Sequence, residues 1–404
     1  MRLLHVIRSV SPAQGGTAEG LRQSVLATSA LGHRAEVLTL DADHDAWVAA
    51  FPAPTHALGP VASHYGYSRR LVPWLRENAG DYDAVVVHGL WQYHSLAAWR
   101  ALHGTRVPYF VYPHGMLDPW FKRRYPLKHL KKSLYWPWAE RRVLRDAAAV
   151  LFTAEEEQRL AAQSFAWYGV APAVVGFGVD LDAQAEASIA HTFLAARPAL
   201  RGKRIVLFLG RIHEKKGGDL LIAAFAEVAR DVAALHLVMA GPDELGHERA
   251  RLETLADRLG VRDRITWTGL LVGVEKWSAL RAAEVFALPS HQENFGVAVV
   301  EALALGLPVI VSDKVNIWRE IECAGAGYVG SDTAEATAAS LRRWLALGPD
   351  ERIAMTVAAR ACYERSFTMR SSAERLLDAI RLRLPPAPVS RMRDAIHGGA
   401  TKPP

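Results

Sequence analysis

A loop with one carboxylate before a helix is the part of this sequence best suited to chemistry. The apolar run Val285–Leu288 predicts a buried strand, and a polar loop with Glu293 follows it. The apolar stretch 297–305 then predicts a helix, which Gly306 ends. Such a loop joins the carboxyl end of a strand to the amino end of a helix, where open α/β sheets bind ligands.

The start of this predicted helix favours an anion. The free N–H groups of Asn294, Phe295 and Gly296 should point out of the helix, toward a phosphate or carboxylate. Glu301 lies inside the apolar helix, where a carboxylate is costly unless it is hydrogen-bonded, and a ribose diol would satisfy both of its oxygens. The pattern leaves open an ordinary core helix whose one Glu reaches water.

Three further loops follow predicted strands. Gly15 and Gly16 form a Gly-Gly loop that lets the backbone approach a phosphate, although many such loops are simple tight turns. His114 lies just past the apolar run 108–112, at the same predicted sheet edge. Arg211 and Lys216 lie in a loop before another helix, where basic side chains form an anion site or a solvated turn.

The spacing of the two glutamates resembles a known motif. Glu293 and Glu301, with Phe295 and Gly296 between them, resemble the E-x7-E motif of the retaining glycosyltransferases of the large bacterial glycosyl transferase group 1, family 4. The resemblance extends over both halves of the chain. It implies an α/β protein of the GT-B fold, with two Rossmann-like doubly wound domains facing each other across a cleft. It also implies that a sugar is transferred from a nucleotide-diphosphate-sugar with retention at the anomeric carbon.

The resemblance also assigns roles residue by residue. The family's Gly-Gly pair faces the donor diphosphate and the acceptor, its His contacts the donor sugar, and its Arg and Lys hold the diphosphate. Lys216 matches that Lys better than Lys215 because a glycine follows it. The implied catalytic residues are Glu293, His114, Arg211 and Lys216. The implied donor-binding residues are Gly15, Gly16, Asn294, Phe295, Gly296 and Glu301. Because cations and a helix start would stabilise the leaving phosphate, we expect no cofactor and no metal.

The order of predicted elements divides the chain into five parts. Residues 1–182 are predicted to form an acceptor-binding domain, and residues 183–203, rich in alanine and polar residues, a linker. Residues 204–365 are predicted to form the nucleotide-sugar-binding domain. From the family, we expect a helix within 366–384 to cross back onto the first domain. The Pro- and Gly-rich tail 385–404 is predicted to be disordered.

Composition narrows the class of protein. The chain has 404 residues, of which half are hydrophobic, and its two cysteines form no disulfide framework. The N-terminus lacks the features of a signal peptide, and no apolar run is long enough to cross a membrane. Asp41 and Asp43 form a D-x-D pattern that binds metal in another glycosyltransferase fold, but the rest of the chain favours two doubly wound domains. These observations indicate a cytoplasmic protein.

Residues 121–145 form a strongly basic strip. It carries nine Lys or Arg and one acid, a net charge of +8 that leaves −2 on the rest of the chain, and aromatic residues alternate with the basic ones. Two interpretations fit: a solvated helix face, or a segment at an anionic membrane interface. Nucleic acid is disfavoured because no nucleic-acid-binding module accompanies the strip. The residues predicted to face the membrane are Lys122, Arg123, Arg124, Lys128, Lys131 and Lys132.

The strip and the resemblance together predict an acceptor. We expect a lipid-linked saccharide, as in the building of an exopolysaccharide or O-antigen, and peripheral attachment to the inner face of the cytoplasmic membrane. Two alternatives stay open. One is a nucleotide-sugar 2-epimerase of the same fold, which would not need the basic strip. The other is a non-catalytic, membrane-associated sugar-binding protein, which would not need Glu293, Arg211 and Lys216 together.

Overall fold

The computed structural model describes residues 1–181, 185, 189–243 and 246–385. Apart from residue 385, the predicted tail lies outside the described residues, as does part of the predicted linker. The described chain contains two parallel β-sheets, one in each half. The central strands of both sheets are almost completely buried, which explains why they appear in the sequence as short apolar runs, whereas the edge strands are partly exposed.

In the described part of the first half, seven parallel strands form a sheet in the order β3-β2-β1-β4-β5-β6-β7. The strands are β1 (Arg2–Val6), β2 (Arg34–Thr39), β3 (Thr55–Ala57), β4 (Ala84–His88), β5 (Tyr109–Tyr112), β6 (Ala149–Phe152) and β7 (Pro172–Val174). The helices are α1 (Gly16–Ala30), α2 (Ala46–Ala49), α3 (Leu71–Asn78), α4 (Tyr93–Leu102), α5 (Trp120–Arg124), α6 (Pro126–Tyr135), α7 (Glu140–Arg145) and α8 (Glu155–Ala161).

In the described part of the second half, six parallel strands follow the order β10-β9-β8-β11-β12-β13. They are β8 (Arg204–Leu209), β9 (Leu235–Ala240), β10 (Ile265–Gly269), β11 (Val285–Leu288), β12 (Val309–Ser312) and β13 (Gly327–Gly330). The helices are α9 (Ala190–Ala196), α10 (Gly218–Ala229), α11 (Glu248–Arg258), α12 (Gly273–Ala282), α13 (Val297–Ala304), α14 (Trp318–Ala324), α15 (Ala334–Ala346), α16 (Pro349–Ser366) and α17 (Met369–Arg381).

Both sheets are doubly wound. Strand order reverses between β1 and β4 in the first sheet and between β8 and β11 in the second, and each reversal opens a crevice at the carboxyl ends of the strands. The predicted fold class, two Rossmann-like domains of the GT-B type, is confirmed.

The last helix crosses back to the first half, as predicted. Leu376, Leu377 and Ile380 of α17 are buried in one apolar cluster with Leu3 of β1 and Phe110 of β5. Helix α17, which follows the second sheet in the chain, therefore packs on the first sheet.

The described end of the predicted linker is not an extended connection. Helix α9 and the following turn place Phe193 and Leu200 in the apolar core of the second half, together with Phe208 of β8. These residues therefore belong structurally to the second half.

Candidate active site in the cleft between the two sheets

A cleft of about 300 Å³ lies where the carboxyl ends of the two sheets face each other. Both halves contribute to its walls. The residues that line it are Gln14, Gly16, Thr17, His114, Gly115, Met116, Phe121, Thr153, Phe177, Arg211, Lys215, Gln292, Glu293, Asn294, Phe295, Gly296 and Val297. The structure thus brings most of the sequence-predicted site residues together at one place.

Two helix N-termini face each other across this cleft. Helix α1 begins at Gly16 and α13 at Val297, and a Cβ built on Gly16 would lie 4.0 Å from Val297 Cγ2. Neither helix has a side-chain cap, and both N-cap glycines, Gly15 and Gly296, have positive φ angles of 68° and 78°. No side chain therefore shields these two helix N-termini from an anion in the cleft, although Val299 N–H already donates to Gly296 O.

The loop before α13 is held in place by its backbone. Glu293 N–H donates to Lys314 O at 2.9 Å, and Asn316 N–H donates to Glu293 O at 3.0 Å. The carboxylate of Glu293 forms an ion pair with Lys216. Burial, together with the neighbouring charges of Lys215 and Arg211, lowers the pKa of Lys216. The carboxylate of Glu293 favours the charged ammonium and opposes this effect.

The cations of the second half are distributed differently from the prediction. Arg211 and Lys215 both line the cleft, while Lys216 lies behind them against Glu293. Burial and the charge of Arg211 lower the pKa of Lys215. The sequence analysis preferred Lys216 to Lys215, whereas the cations that line the cleft are Arg211 and Lys215.

A close contact joins the two halves beside the cleft. Asn294 Nδ2 donates to Thr153 Oγ1 at 3.2 Å, and a Cβ built on Gly115 would lie 2.7 Å from Asn294 Cβ. Gly115 N–H donates to the buried carboxylate of Glu157 at 2.6 Å, and Glu157 also accepts from the Thr153 hydroxyl at 2.7 Å. Only glycine at position 115 allows the two loops to approach this closely.

His114 lies on the opposite wall from the cations. Its backbone has a positive φ of 49°, and its Nε2 lies 3.1 Å from Nδ1 of His88. Burial lowers the pKa of His114 to about 4, so the imidazole is neutral at physiological pH. The cleft therefore has neutral donors and acceptors on the first half and positive charge on the second.

Comparison with protein families agrees with this geometry. Residues 193–361 match the family model described as "Glycosyl transferases group 1", and residues 15–175 match "Glycosyl transferase 4-like domain". Together the two matches include every residue of the cleft except Gln14 and Phe177. The chain belongs to the group 1 glycosyltransferases.

Curated relatives of this glycosyltransferase act on different molecules. The chain is 34% identical to alpha-D-kanosaminyltransferase of Streptomyces kanamyceticus over 48% of this chain and 49% of that protein. It is 28% identical to D-inositol 3-phosphate glycosyltransferase of Segniliparus rotundus over 95% of this chain and 77% of that protein. The chain thus aligns with about half the length of the first relative and about three quarters of the second.

A solved structure shows the same fold. The complex of Anabaena HepE with UDP-glucose superimposes with a TM-score of 0.72 at 16% identity, and the match covers 95% of this chain and 100% of that one. At this identity the likeness shows the GT-B fold alone.

The second glutamate of the glycosyltransferase motif is buried beside a cation. Glu301 Oε1 accepts a hydrogen bond from Lys276 Nζ at 2.7 Å, and Lys276 lies over the ring of Trp277. The expectation that a carboxylate in this apolar helix needs a partner is met by Lys276. Glu301 is not among the cleft-lining residues, and its role toward a ribose stays a prediction.

Phe295, which was predicted to bind the donor, also packs against two aromatic side chains. It lines the cleft with one edge but is buried, in edge-to-face contact with Phe177 at 5.0 Å and Phe367 at 5.8 Å. Phe177 comes from the end of the first half and Phe367 from the turn before α17. Phe295 therefore joins the cleft loop to the segments that cross between the halves.

Asp41 has a structural role. Its carboxylate accepts from the Ser9 hydroxyl at 2.6 Å, the Val10 N–H at 2.8 Å and the Thr39 hydroxyl at 2.7 Å. These bonds fix the start of the loop that leads from β1 to Gly15.

The side chains of two residues in the predicted membrane-facing set contact other parts of the protein. Arg124 forms a two-pronged hydrogen bond with Glu214 of the second half, at 2.7 and 3.1 Å. Lys132 is half-buried with its ammonium 4.4 Å from the centre of the Trp91 ring, and burial lowers its pKa to about 8. Arg124 is exposed but paired with the second half, and Lys132 is only partly exposed, so the membrane-facing role of both stays a prediction. A basic residue in sequence gives no sign of which way its helix turns it.

The remaining basic residues lie beside an exposed apolar face. Leu127, Leu130 and Leu134 of α6 and Trp138 after it are between 59% and 83% exposed, at a spacing that places them on one side of the helix. Lys128 and Lys131 are exposed between them. The sequence analysis counted charge and overlooked this spacing of three and four residues. In the described part of the chain, no helix is long and apolar enough to cross a membrane.

Proposed function

We propose that this protein transfers a sugar, with retention at the anomeric carbon, from a nucleotide-diphosphate-sugar to a saccharide carried on a lipid at an anionic membrane surface. The observation that carries the donor part is the convergence of Arg211, Lys215 and the N-termini of α1 and α13 on one cleft. The solved neighbour HepE holds UDP-glucose, a ligand of this chemical class.

The cleft suits the charge that develops during transfer. As the bond between the sugar and the nucleoside diphosphate breaks, negative charge grows on the β-phosphate. Preorganised cations and helix N–H groups stabilise such charge in a site that excludes water. Arg211 and Lys215 face this position, and Lys216 can join them once a bound donor separates it from Glu293.

The residues around the sugar complete the proposal. Glu293, released from Lys216, would accept hydrogen bonds from sugar hydroxyls, and His114 would contact the sugar from the first half. The resemblance to retaining enzymes supports front-face attack, in which the departing phosphate takes the proton of the acceptor hydroxyl. The cations supply the positive potential that a divalent metal supplies in other enzymes, so we expect EDTA to leave activity intact.

The acceptor part of the proposal rests on α5 and α6. Phe121 of α5 lines the cleft, and the chain continues directly into α6, whose leucines are exposed between lysines. Apolar side chains with basic neighbours are typical of a helix that lies in the interface of an anionic membrane. A lipid-linked acceptor held at that surface would reach the cleft past Phe121. This arrangement supports a role in building cell-surface polysaccharide.

A donor screen tests the first half of the proposal. Thermal shift across UDP-, GDP-, ADP- and dTDP-sugars should show stabilisation by one nucleotide class, because a ligand that binds only the folded state raises its stability. The Arg211→Ala variant should lose that shift while keeping its unliganded melting temperature. No stabilisation by any of the four classes would contradict the proposal.

A transfer assay separates the proposal from its alternatives. The best donor from the screen is labelled in its sugar and incubated with and without a polyprenyl-diphosphate-linked saccharide. Transfer requires label in the lipid fraction. A changed sugar nucleotide or free sugar without lipid would favour an epimerase, and binding without any product would favour a sugar-binding protein.

A further inference from the structure

Three histidines form a line from the core of the first half to the cleft. His5 Nδ1 lies 2.9 Å from His88 Nε2, and His88 Nδ1 lies 3.1 Å from His114 Nε2. His5 and His88 are buried, whereas His114 is partly exposed and lines the cleft. The proposed function uses only His114.

The sheet aligns these side chains. His5 on β1 pairs with Val86 on the neighbouring strand β4, and His88 lies two residues beyond Val86. His88 pairs with Tyr112 on β5, and His114 lies two residues beyond Tyr112. Side chains two residues apart share a face of a strand, so His5 and His88 lie on one face of the sheet, and His114, just past the end of β5, continues the line toward the carboxyl edge. Tyr112 stacks on His88 and His114, with ring centres 5.4 and 5.2 Å away.

The protonation of the line has only two consistent arrangements. Burial lowers the pKa of His5 and His114 to about 4 and that of His88 well below its ordinary value, so each neutral ring carries one proton. Each contact needs one donor and one acceptor. All three rings must therefore be protonated on Nδ1, or all three on Nε2.

The buried end of the line distinguishes the two arrangements. His5 Nε2 is buried and has no hydrogen-bond partner among the described residues. If the rings were protonated on Nε2, this atom would be a buried N–H without an acceptor, which native proteins rarely leave. If they are protonated on Nδ1, it is an unused lone pair, which proteins leave more often. The Nδ1 arrangement is therefore favoured.

We propose that His88, itself held by His5, is a positioning residue that fixes His114 as the Nδ1–H tautomer and so presents one hydrogen-bond donor to the sugar in the cleft. Nδ1 of His114 is not enclosed like His5 Nε2 and forms no hydrogen bond within the described chain. It can therefore donate to a sugar oxygen but cannot accept from a hydroxyl. This rests on the proposed function for the identity of the ligand, but not for the tautomer.

Nitrogen NMR tests the tautomer directly. In unliganded protein labelled with ¹⁵N-histidine, long-range proton–nitrogen correlations distinguish a protonated ring nitrogen from an unprotonated one, and His114→Gln identifies the His114 signals by their loss. We expect His114 to be protonated on Nδ1 and unprotonated on Nε2 at neutral pH, with His5 and His88 showing the same pattern. His114 protonated on Nε2 would overturn the proposal.

Two variants of His88 test the cause. His88→Phe keeps a ring against Tyr112 but removes both hydrogen bonds, so the His114 signals should lose the fixed Nδ1–H pattern. His88→Asn keeps an amide donor near the former Nδ1 and should restore it. The matched control is His94→Gln, because His94 is also buried but bonds only the backbone O of His88 at 2.7 Å. A fixed pattern in folded His88→Phe would contradict the assignment.

Activity provides a second readout. Under the proposed function, His88→Phe should lower kcat/KM for the donor about tenfold, the scale of one lost hydrogen bond, and His88→Asn should recover most of it. If the tautomer behaves as expected but no transfer occurs with any donor, the proposed function fails and the positioning role of His88 remains.

Discussion

Lys216 and Glu293, two charged residues of the candidate site, form an ion pair with each other. Two opposite charges out of bulk water stabilise each other, and an unpaired one would be costly. In the proposed complex, the donor diphosphate would replace Glu293 as the partner of Lys216, and the sugar hydroxyls would replace Lys216 as the partners of Glu293. The ion pair thus balances the charge of Lys216 and Glu293, while Arg211 and Lys215 face the cleft.

Removing either of two cations should slow turnover without unfolding the protein. We expect Arg211→Ala and Lys216→Ala each to lower kcat about 100-fold or more, the usual scale for one preorganised charge stabiliser. Steady-state kinetics with the preferred donor measures this. Arg258→Ala, which removes an exposed arginine on α11, is the matched control and should have wild-type activity. Full activity in either cleft variant would exclude that residue from the site.

The two glutamates should have different kinetic effects. Glu301→Ala should chiefly raise the donor KM, because contacts to the ribose are similar in the ground and transition states. Glu293→Ala should chiefly lower kcat, because its carboxylate faces the reacting sugar. Separate measurement of kcat and KM decides the matter, and the reverse pattern would mean that the roles are exchanged. Lys276→Met provides the control for the ion pair that Glu301→Ala also breaks.

The sequence predicted which loops form the candidate site, but it did not predict in which direction individual side chains of these loops point. Glu293, His114 and Arg211 were predicted because they follow strand ends, where the topology of a parallel sheet brings residues together. The choice of Lys216 over Lys215 stays a prediction: Lys215 lines the cleft and Lys216 pairs with Glu293, because adjacent residues in a loop point in directions that the backbone decides. The ammonium of Lys132 lies over the ring of Trp91, whose backbone has a positive φ. Because Trp91 is distant in sequence, no local pattern predicts this contact.

The elements that build the site are two helices and one crossing helix. Helices α1 and α13 direct their N-termini at the same space, and α17 packs against β1 and β5 of the sheet that carries α1. Because α17 follows the second sheet in the chain, it ties the two halves together at a distance from the cleft. The stability of the first half therefore depends on the C-terminal end of the chain.

Truncating a buried residue of α17 should destabilise the protein strongly. Ile380 is fully buried between this helix and the first sheet, so Ile380→Ala should lower the free energy of unfolding by about 2–5 kcal/mol. Urea unfolding measures the effect. The matched control is Leu382→Ala, two residues later, because Leu382 is 82% exposed. Equal stability of the two variants would mean that α17 does not support the first sheet.

Most elements followed from the sequence because both sheets are buried. Val285–Leu288 and Tyr109–Tyr112 agree with the predicted runs 285–288 and 108–112, since a strand covered on both faces is mostly apolar. Strand β3, Thr55–Ala57, was missed because it is a short edge strand that carries no apolar run. Helix α9 was taken as linker because the segment is rich in alanine and polar residues, although Phe193 is buried against the second sheet.

The whole molecule combines a cleft between its two halves with one unusual outer surface. Surface helices of globular proteins normally direct their apolar side to the core. In contrast, α6 directs His129, Lys132 and Tyr135 inward and its leucines outward. A patch of this kind on the half predicted to bind the acceptor needs a partner that is apolar and negatively charged. An anionic bilayer has both properties.

We predict that the protein sediments with vesicles containing anionic lipid and stays in solution with neutral ones. Lys128 and Lys131 should each contribute about 1 kcal/mol near such a surface, and burial of the α6 leucines should add attraction that salt does not screen. Binding should therefore weaken at high ionic strength without vanishing. Replacing Leu127, Leu130 and Leu134 by Gln, which preserves helix propensity, should remove the salt-resistant part. Lys128→Glu with Lys131→Glu should remove the salt-sensitive part.

The same kind of substitution at another exposed apolar site provides the control for vesicle binding. Ile353 and Val357 form an exposed apolar pair on α16 of the second half, and changing both to Gln should leave vesicle binding unchanged. The α6 variants should also keep their thermal shift with the donor, because the donor cations lie on the other half of the molecule. If the α6 leucine variant sediments like wild type, the surface of α6 does not bind the membrane. The proposed lipid-linked acceptor then loses its structural support, while the donor site remains as argued.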